Sequence, residues 1–432
     1  MKPLPHVLIV LLIMLRAAPA RETLRWDQCV ETAVLNNPDL TASRESAKNY
    51  DAKRRGSYSG YLPQVTASGG VTYNHNSGGA LASSGSSASS ASSGSSFGAN
   101  SSLYQYTVSV ALSQTLYDGG LTPGNVAQSG ANYRAQVAAL AVEKSLVSYD
   151  LKSAFAQLLY AQELVTLTKQ IAVRRRSDAD LIRLKYEGGR ENKGAYLLAE
   201  SDYTQAVLDQ HNAERNVLVS QHQLAQFMGI KLLDSIVASG ELVTRKAPAS
   251  PEFDKLAVQT PTHFQQISNT EAARAGITIA RSGILPSVTT NVSAERDHPA
   301  AGSWSAGITV SIPIFDGGKT YFNVKAADAS LRQSLANLQS SDALTVYTLV
   351  QTHATLVGDI EAVSANQAAL DAQKVRSEIS KGQYSDGLIS FTDFNLIEND
   401  LVTGQKNELQ SRRDALIAEA NWEYAQGKGA IP

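Results

Sequence analysis

The chain is written twice, and that duplication constrains its fold more than any other feature. Asp118-Gly119-Gly120 returns as Asp316-Gly317-Gly318, 198 positions later. The same offset pairs Tyr149 with Tyr347, Tyr186 with Tyr384, Gly189 with Gly387, Glu200 with Glu398 and Gly229 with Gly427. A register held without a gap over more than a hundred residues identifies a repeated structural unit. Upstream the offset becomes 223, pairing Pro38 with Pro261 and Leu62-Pro63 with Leu285-Pro286. The 25 extra residues of the first copy fall in its Ser, Gly and Ala tract, 76–102. Such a tract has too little apolar surface to order itself and reads as a loop.

Each copy runs helix, strand, loop, strand, very long helix, turn, helix. The strands show period-2 alternation. Trp304, Ala306, Ile308, Val310, Ile312 and Ile314 alternate with Ser303, Ser305, Gly307, Thr309, Ser311 and Pro313. Tyr104, Tyr106, Val108, Val110, Leu112 and Leu116 do the same against Gln105, Thr107, Ser109, Ala111, Ser113 and Thr115. Partner strands are expected near Val65–Tyr73 and Val288–Glu295. A soluble sandwich would also alternate. Here, however, the non-apolar face is small, hydroxylic and nearly free of charge, which suits a water-filled lumen with lipid on the other side.

Asp-Gly-Gly makes a sharp corner because glycine accepts positive φ, and Thr122 and Thr320 are placed to cap the helices that follow. After Pro123 the chain has no proline as far as Tyr186, nor any between Thr320 and Gly382. Each stretch of about 60 residues corresponds to roughly 90 Å of helix. Val137, Leu140, Val147, Leu151, Ala154, Leu158, Ala161, Val165 and Ala172 form a coiled-coil seam interrupted by Lys144 and Thr168. Leu335, Leu338, Leu349 and Leu356 form a looser one. The helix from Pro38 to about Ser59 and that from Asn192 to about Met228 together match one long helix, so two half-helices stacked end to end can pair along it. Ile230 to Pro251 is then available as a belt around the junction.

Composition narrows the class. Lys2, the apolar run Val7 to Leu15 and Ala18-Pro19-Ala20 read as a secretory signal peptide, residues 1–20. No later stretch approaches the roughly 20 apolar residues of a membrane helix, so entry into a membrane must be by strands. Cys29 is the only cysteine. Trp26-Asp27-Gln28 before it lacks the small and apolar residues needed for lipid attachment, and Cys29 reads as a small buried residue on a first helix. The formal charge is -2, no segment concentrates Lys and Arg beyond the three of Arg174-Arg175-Arg176, and that run reads as a solvated helix face, which argues against nucleic acid as a partner. His211 and His222 share a helix face without the Cys or carboxylate neighbours of a metal site, and no glycine pair leads into a phosphate loop. The sequence holds no constellation for catalysis and implies no cofactor.

At this point the ordered set resembles the TolC-type outer membrane efflux family. It comprises the signal peptide, Asn37-Pro38 after an amphipathic segment, the Leu62-Pro63 strand entry, the twice-used Asp-Gly-Gly corner, and the turns Tyr186 to Gly189 and Tyr384 to Gly387. The resemblance implies a mostly α protein with a membrane β-barrel: three protomers, each giving four strands, build a twelve-stranded barrel on an α-helical barrel. The expected layout is a first repeat over 21–229 (β-hairpin about 62–117, helical hairpin about 121–228), an equatorial linker over 230–252, and a second repeat over 253–432 (β-hairpin about 285–315, helical hairpin about 319–426). It further implies a passive exit duct of a tripartite efflux or type I secretion system. The homotrimer would sit in outer-membrane lipid of a Gram-negative bacterium and meet a periplasmic adaptor (membrane fusion) protein and an inner-membrane transporter. A periplasmic coiled-coil adaptor is the alternative, although it would need one helical hairpin rather than two.

The family pattern places the pore entrance at Tyr384, Asp386 and Asp393, and the adaptor-contacting hairpin tips at Tyr186, Gly189, Gly387 and Leu388. The structural corners are Asp118, Gly119, Gly120, Asp316, Gly317 and Gly318. Two positions depart from the pattern: Leu396 stands where a second ring carboxylate is expected, and Ile389 where an arginine is. Ser390-x-x-Asp393 also reads as a capping box, so Asp393 has a local role open to it beside the gate.

Overall fold

A computed structural model describes residues 22–75, 102–231, 236–243, 246–298 and 302–432. The signal segment, nearly all of the Ser-rich tract and part of the 230–252 linker lie outside these residues. The first half contains β1 (Glu22–Arg25), α1 (Trp26–Asn36), α2 (Pro38–Gly56), β2 (Gln64–His75), β3 (Ser102–Tyr117), α3 (Leu121–Glu187), α4 (Lys193–Met228) and β4 (Ile236–Ser239). The second contains α5 (Phe253–Ala257), α6 (Pro261–Ser282), β5 (Ser287–His298), β6 (Gly302–Ser311), α7 (Lys319–Ser385) and α8 (Phe391–Ala425). Both long helices, α3 and α7, have 67 residues.

The chain divides into two compact units, and neither coincides with a repeat. One takes 48–135 and 266–338, and the other takes the remaining described residues. The reason is visible in the strands: the two hairpins β2–β3 and β5–β6 are joined by antiparallel pairing of β3 with β5, giving one sheet in the order β2-β3-β5-β6.

In the unit containing this sheet, register sorts the side chains by face. Val108 and Val110 of β3 lie opposite Gly69 and Ala67 of β2, while Ala294 and Val292 of β5 lie opposite Trp304 and Ala306 of β6. These apolar side chains are exposed, Trp304 to 79%. On the other face Ser68 meets Ser109 at 2.7 Å and Ser293 meets Ser305 at 2.9 Å, hydroxyl to hydroxyl. The apolar run beyond Ser311 is not strand, yet Ile312, Ile314 and Phe315 remain exposed.

The corners hold the strands to the helices by an arrangement the sequence reading placed one residue type away. Thr122 and Thr320 are donors rather than caps: the Asp118 carboxylate accepts from the Thr122 N–H at 2.6 Å, from the Gly120 N–H at 3.2 Å and from the Thr122 hydroxyl. Asp316 repeats this with Gly318 and Thr320. An aspartate is better suited here because its charge also faces the positive end of the helix.

In the other unit, β1 pairs in parallel with β4, an element the sequence did not reveal. Cys29 and Ala33 of α1 are buried with Leu151, Phe155 and Leu158 of α3 and Leu224 and Met228 of α4. Burial pushes the Cys29 thiol up to about 11. The expected seam residues Val147, Leu151, Ala154, Leu158 and Ala161 are buried, whereas Val137, and Leu335 in the sheet-bearing unit, are exposed. The half-helices do abut. The Asn37 side chain donates to the Phe227 carbonyl at 2.8 Å, and Gly229, at φ 71°, touches the Asn36 backbone. Gly427 likewise lies against Pro261 at the start of α6.

The two corner glycines separate two costs. Gly119 (φ 67°) and Gly317 (φ 68°) share a backbone conformation, but only at Gly119 is the space filled: a Cβ there would lie 2.6 Å from Leu285 Cβ, with nothing within 4 Å at Gly317. Gly317→Ala is expected to cost roughly 1 kcal/mol from backbone strain alone. Gly119→Ala should cost a further 1–3 kcal/mol, roughly, from overpacking. Thermal melts followed by circular dichroism should therefore rank wild type above Gly317→Ala above Gly119→Ala.

Candidate functional site: the paired helical tips

Each long helix stops the same way. After α3, Gly189 takes φ 70°, its N–H donates to the Tyr186 carbonyl at 3.0 Å, and the Arg190 N–H reaches back to Lys185 at 2.8 Å. After α7, Gly387 takes φ 79°, donates to Tyr384 at 3.1 Å, and the Leu388 N–H reaches Gln383 at 2.8 Å. This is the glycine stop that satisfies the last helical carbonyls. The returning helices are capped at once, α4 by Asn192 accepting from the Ala195 N–H and α8 by Ser390 accepting from the Asp393 N–H. An aromatic pair closes each turn: Tyr186 stacks on Tyr196 at 5.7 Å, and Tyr384 on Phe394 at 4.8 Å. Tyr196 and Phe394 are themselves 198 positions apart, so this clasp belongs to the repeat, although nothing in their spacing along one copy announced it.

The two tips then diverge. Tyr186 is exposed, whereas Tyr384 is buried, only 2% exposed, and its hydroxyl donates to Glu191 Oε2 of the other tip at 3.0 Å. Lys185 Nζ lies 4.3 Å over the Tyr384 ring and donates to the carbonyls of Tyr384 and Ser385. Burial pushes the Tyr384 phenol above its ordinary range, and the Glu191 carboxylate adds to the shift. Asp386, Leu388 and Asp393 are exposed, and so is Leu396. The Ser390 hydroxyl donates to Asp393 Oδ2 at 2.7 Å, so the local cap exists in this protein. Ile389 packs, partly buried, against the apolar cluster of Ile182, Tyr384 and Phe394.

Further along α3, the basic run behaves differently from the solvated face expected of it. Arg176 is exposed, with its guanidinium over the Tyr203 ring and 3.3 Å from Asp180, and Arg174 is half-buried. Arg175 is buried and reaches Asn395 (3.3 Å) and Asn399 (2.5 Å) of α8. Arg174 lies 3.7 Å from Glu398, which is buried, only 1% exposed, and accepts from the Ser377 hydroxyl of α7. Asp178, also buried, takes Lys381 of α7 at 3.1 Å. Arg175, Asp178 and Glu398 therefore tie α3 to both helices of the second hairpin. Sequence inspection missed the group because its members are spread over three helices. One oxygen on each carboxylate, Asp178 Oδ2 and Glu398 Oε2, has no hydrogen-bond partner. Among the described residues no group of three metal-ligating side chains lies together, and His211 and His222 are exposed.

This seam makes stability pH-dependent in a stated direction. Burial raises the Asp178 carboxyl, with Lys381 opposing and Glu398 adding. The folded protein thus holds this proton more tightly than the unfolded chain. Its contribution is fully present in acid and is lost as pH rises through the raised value. Asp178→Asn removes the charge and keeps an acceptor for Lys381. Its melting temperature relative to wild type should rise between about pH 4 and pH 7. A difference that stays flat with pH would show that Asp178 ionises without penalty.

Known proteins match this chain along most of its length. The family model for outer membrane efflux proteins matches residues 29–230 and 264–427. A probable outer membrane lipoprotein, SilC of Salmonella typhimurium, is 23% identical over 424 residues, covering 92% of this chain and 85% of that protein. The outer membrane efflux protein BepC of Brucella suis is 21% identical over 395 residues, covering 89% and 81%. The crystal structure of CusC superposes with a TM-score of 0.81 at 17% identity, over 93% of this chain and 92% of that one, which establishes the TolC-like fold. With a duplicated helix–strand–strand–helix plan, a sheet sorted into apolar and hydroxylic faces and a family match along most of its length, the chain belongs to the outer membrane efflux protein family.

Proposed function

We propose that three copies of this chain form a passive exit duct, which docks with a periplasmic adaptor and an inner-membrane transporter and opens at the paired helical tips. The observation that carries this reading is the sheet. Its four strands end in the edges β2 and β6, which have no partner on their outer sides among the described residues. In hydrocarbon each unpaired N–H or C=O costs several kcal/mol, so the edges must be paired by other chains. Bacterial barrels have at least eight strands, and three copies give twelve. The apolar face then meets lipid and the hydroxylic face lines the water.

The tips supply the closing contacts. Tyr384, Glu191 and Lys185 bind one hairpin to the other, and Asp386, Asp393, Gly387 and Leu388 remain at the surface for a neighbouring copy or an adaptor. Releasing the tyrosine hydroxyl loosens the tip while leaving the aromatic stack on Phe394 in place. Tyr384→Phe should therefore raise the open probability of channels in planar bilayers, and an unchanged open probability would remove Tyr384 from the gate. Three copies of Asp393 at a narrow mouth would favour cations. Asp393→Ala should lower cation preference, whereas unchanged selectivity would leave Asp393 the capping contact with Ser390 alone. The assembly itself is tested by mass in detergent: a single copy that passes no current would refute the duct.

A further inference from the structure

The sheet register places acidic residues on a face that is otherwise hydroxylic. On the hydroxylic face lie Gln64, Thr66, Ser68 and Thr72 of β2, Thr107, Ser109 and Ser113 of β3, Thr289, Asn291 and Ser293 of β5, and serines and a threonine of β6. Among strand residues whose side chains are described, the only ionisable group on this face is Glu295; the register also sets Asp297, at the end of β5, opposite Thr107 on the same face. Glu295 is paired in register with Ser109 on one side and Ser303 on the other. Ser109 and Ser293 make the cross-strand hydroxyl contacts that mark this face, so the assignment of Glu295 to it does not depend on its own rotamer.

Its neighbour reports the depth. Arg296 falls on the apolar face, opposite Val108 and Gly302, and is the only Lys or Arg there among the same residues. A long cationic side chain on a lipid-facing surface belongs at the edge of the hydrocarbon, where it can snorkel to anionic headgroups. Glu295 lies eight residues beyond Ser287, about 26 Å along the strand, comparable with the roughly 25 Å apolar band of such barrels. The Ser287 end follows α6, so Glu295 is near the strand end remote from the helices.

We propose that Glu295 is a specificity-determining residue of the duct: repeated by each copy around the lumen, its carboxylate forms an electrostatic filter favouring cations over anions at the strand ends away from α6. The proposal rests on the duct reading above. It also predicts its own salt dependence. A barrel is wide, and a wall charge reaches about 8 Å at physiological ionic strength but about 30 Å at 0.01 M. The filter is therefore strong in dilute salt and screened in concentrated salt, whereas a carboxylate at a narrow tip would keep its effect.

The test is the reversal potential of purified channels across a KCl gradient, recorded near 0.01 M and again near 1 M, both approximate. Glu295→Gln should lower the cation-to-anion permeability ratio by at least about two-fold in dilute salt and leave it nearly unchanged in concentrated salt. Glu295→Asp should retain the preference, and Glu295→Lys should reverse it. Wild type and Glu295→Gln with the same selectivity in dilute salt would overturn the filter while leaving the duct intact. Wild-type protein that inserts but never conducts would overturn the duct, and the filter with it.

Discussion

Hydrogen bonding of backbone in oil is the constraint from which the rest follows. Four strands satisfy their inner ladders, β2 with β3, β3 with β5 and β5 with β6, and no more. In water the two remaining edges would be a liability managed by charge or by a covering loop. Here the strands carry the opposite signature, with Val65, Val71, Val108, Ile308 and Val310 exposed on one face. Such a surface is stable only against hydrocarbon, and there an open edge is not tolerated. In the proposed duct, oligomerisation is a condition for the fold rather than an addition to it. It also explains why the duplication is not the packing unit, since the middle pair β3–β5 joins one copy to the other.

Away from the sheet, the helices follow a different economy. Most of the contact between α3 and its neighbours is small and apolar, with Ala154, Leu158, Ala161, Ala179 and Ile182 buried. Against that background the seam of Arg174, Arg175, Asp178, Lys381 and Glu398 is out of place. Burying charges costs several kcal/mol per ion, and imperfect pairing recovers only part of it; two carboxylate oxygens here accept no hydrogen bond, Glu398 Oε2 having only the Arg174 guanidinium at 3.7 Å. Apolar residues of like volume would hold the hairpins together more firmly. A seam of this kind is weak for its area and hydrates readily when parted, which is consistent with the opening at the helical tips proposed above.

Much of this was legible in the chain, and the boundary of legibility is physical. Period-2 alternation, proline-free runs and glycine stops are local signals, so the strands, α3, α7 and both tip turns could be read directly. The 198-residue offset turned weak local signals into strong ones by showing each twice. What escaped depends on contacts distant in sequence. β4 is four residues with no alternation of its own and exists because β1 pairs with it. Arg174-Arg175-Arg176 looks solvated in sequence, and only the approach of α8 divides it into buried and exposed members. At the corners the cap went to the threonine because the motif Asp-Gly-Gly-x-Thr offers two candidates, and geometry chose the aspartate.

The duplication also indicates where function resides. Features held in both copies are those that shape the chain: the Asp-Gly-Gly corners, the positive-φ glycines, the aromatic clasps at Tyr186–Tyr196 and Tyr384–Phe394. Features held in one copy are those that connect the hairpins. Tyr384 is buried against Glu191 while Tyr186 is exposed, and Glu398 is buried in the seam while Glu200 is not. Ser377 and Lys381 of the seam correspond to Ala179 and Arg183 in the first copy, which join no such network. Two identical hairpins would have nothing to hold one against the other except shape. The asymmetry supplies a polar bond that can be made and broken, placed in the second hairpin and anchored on the first.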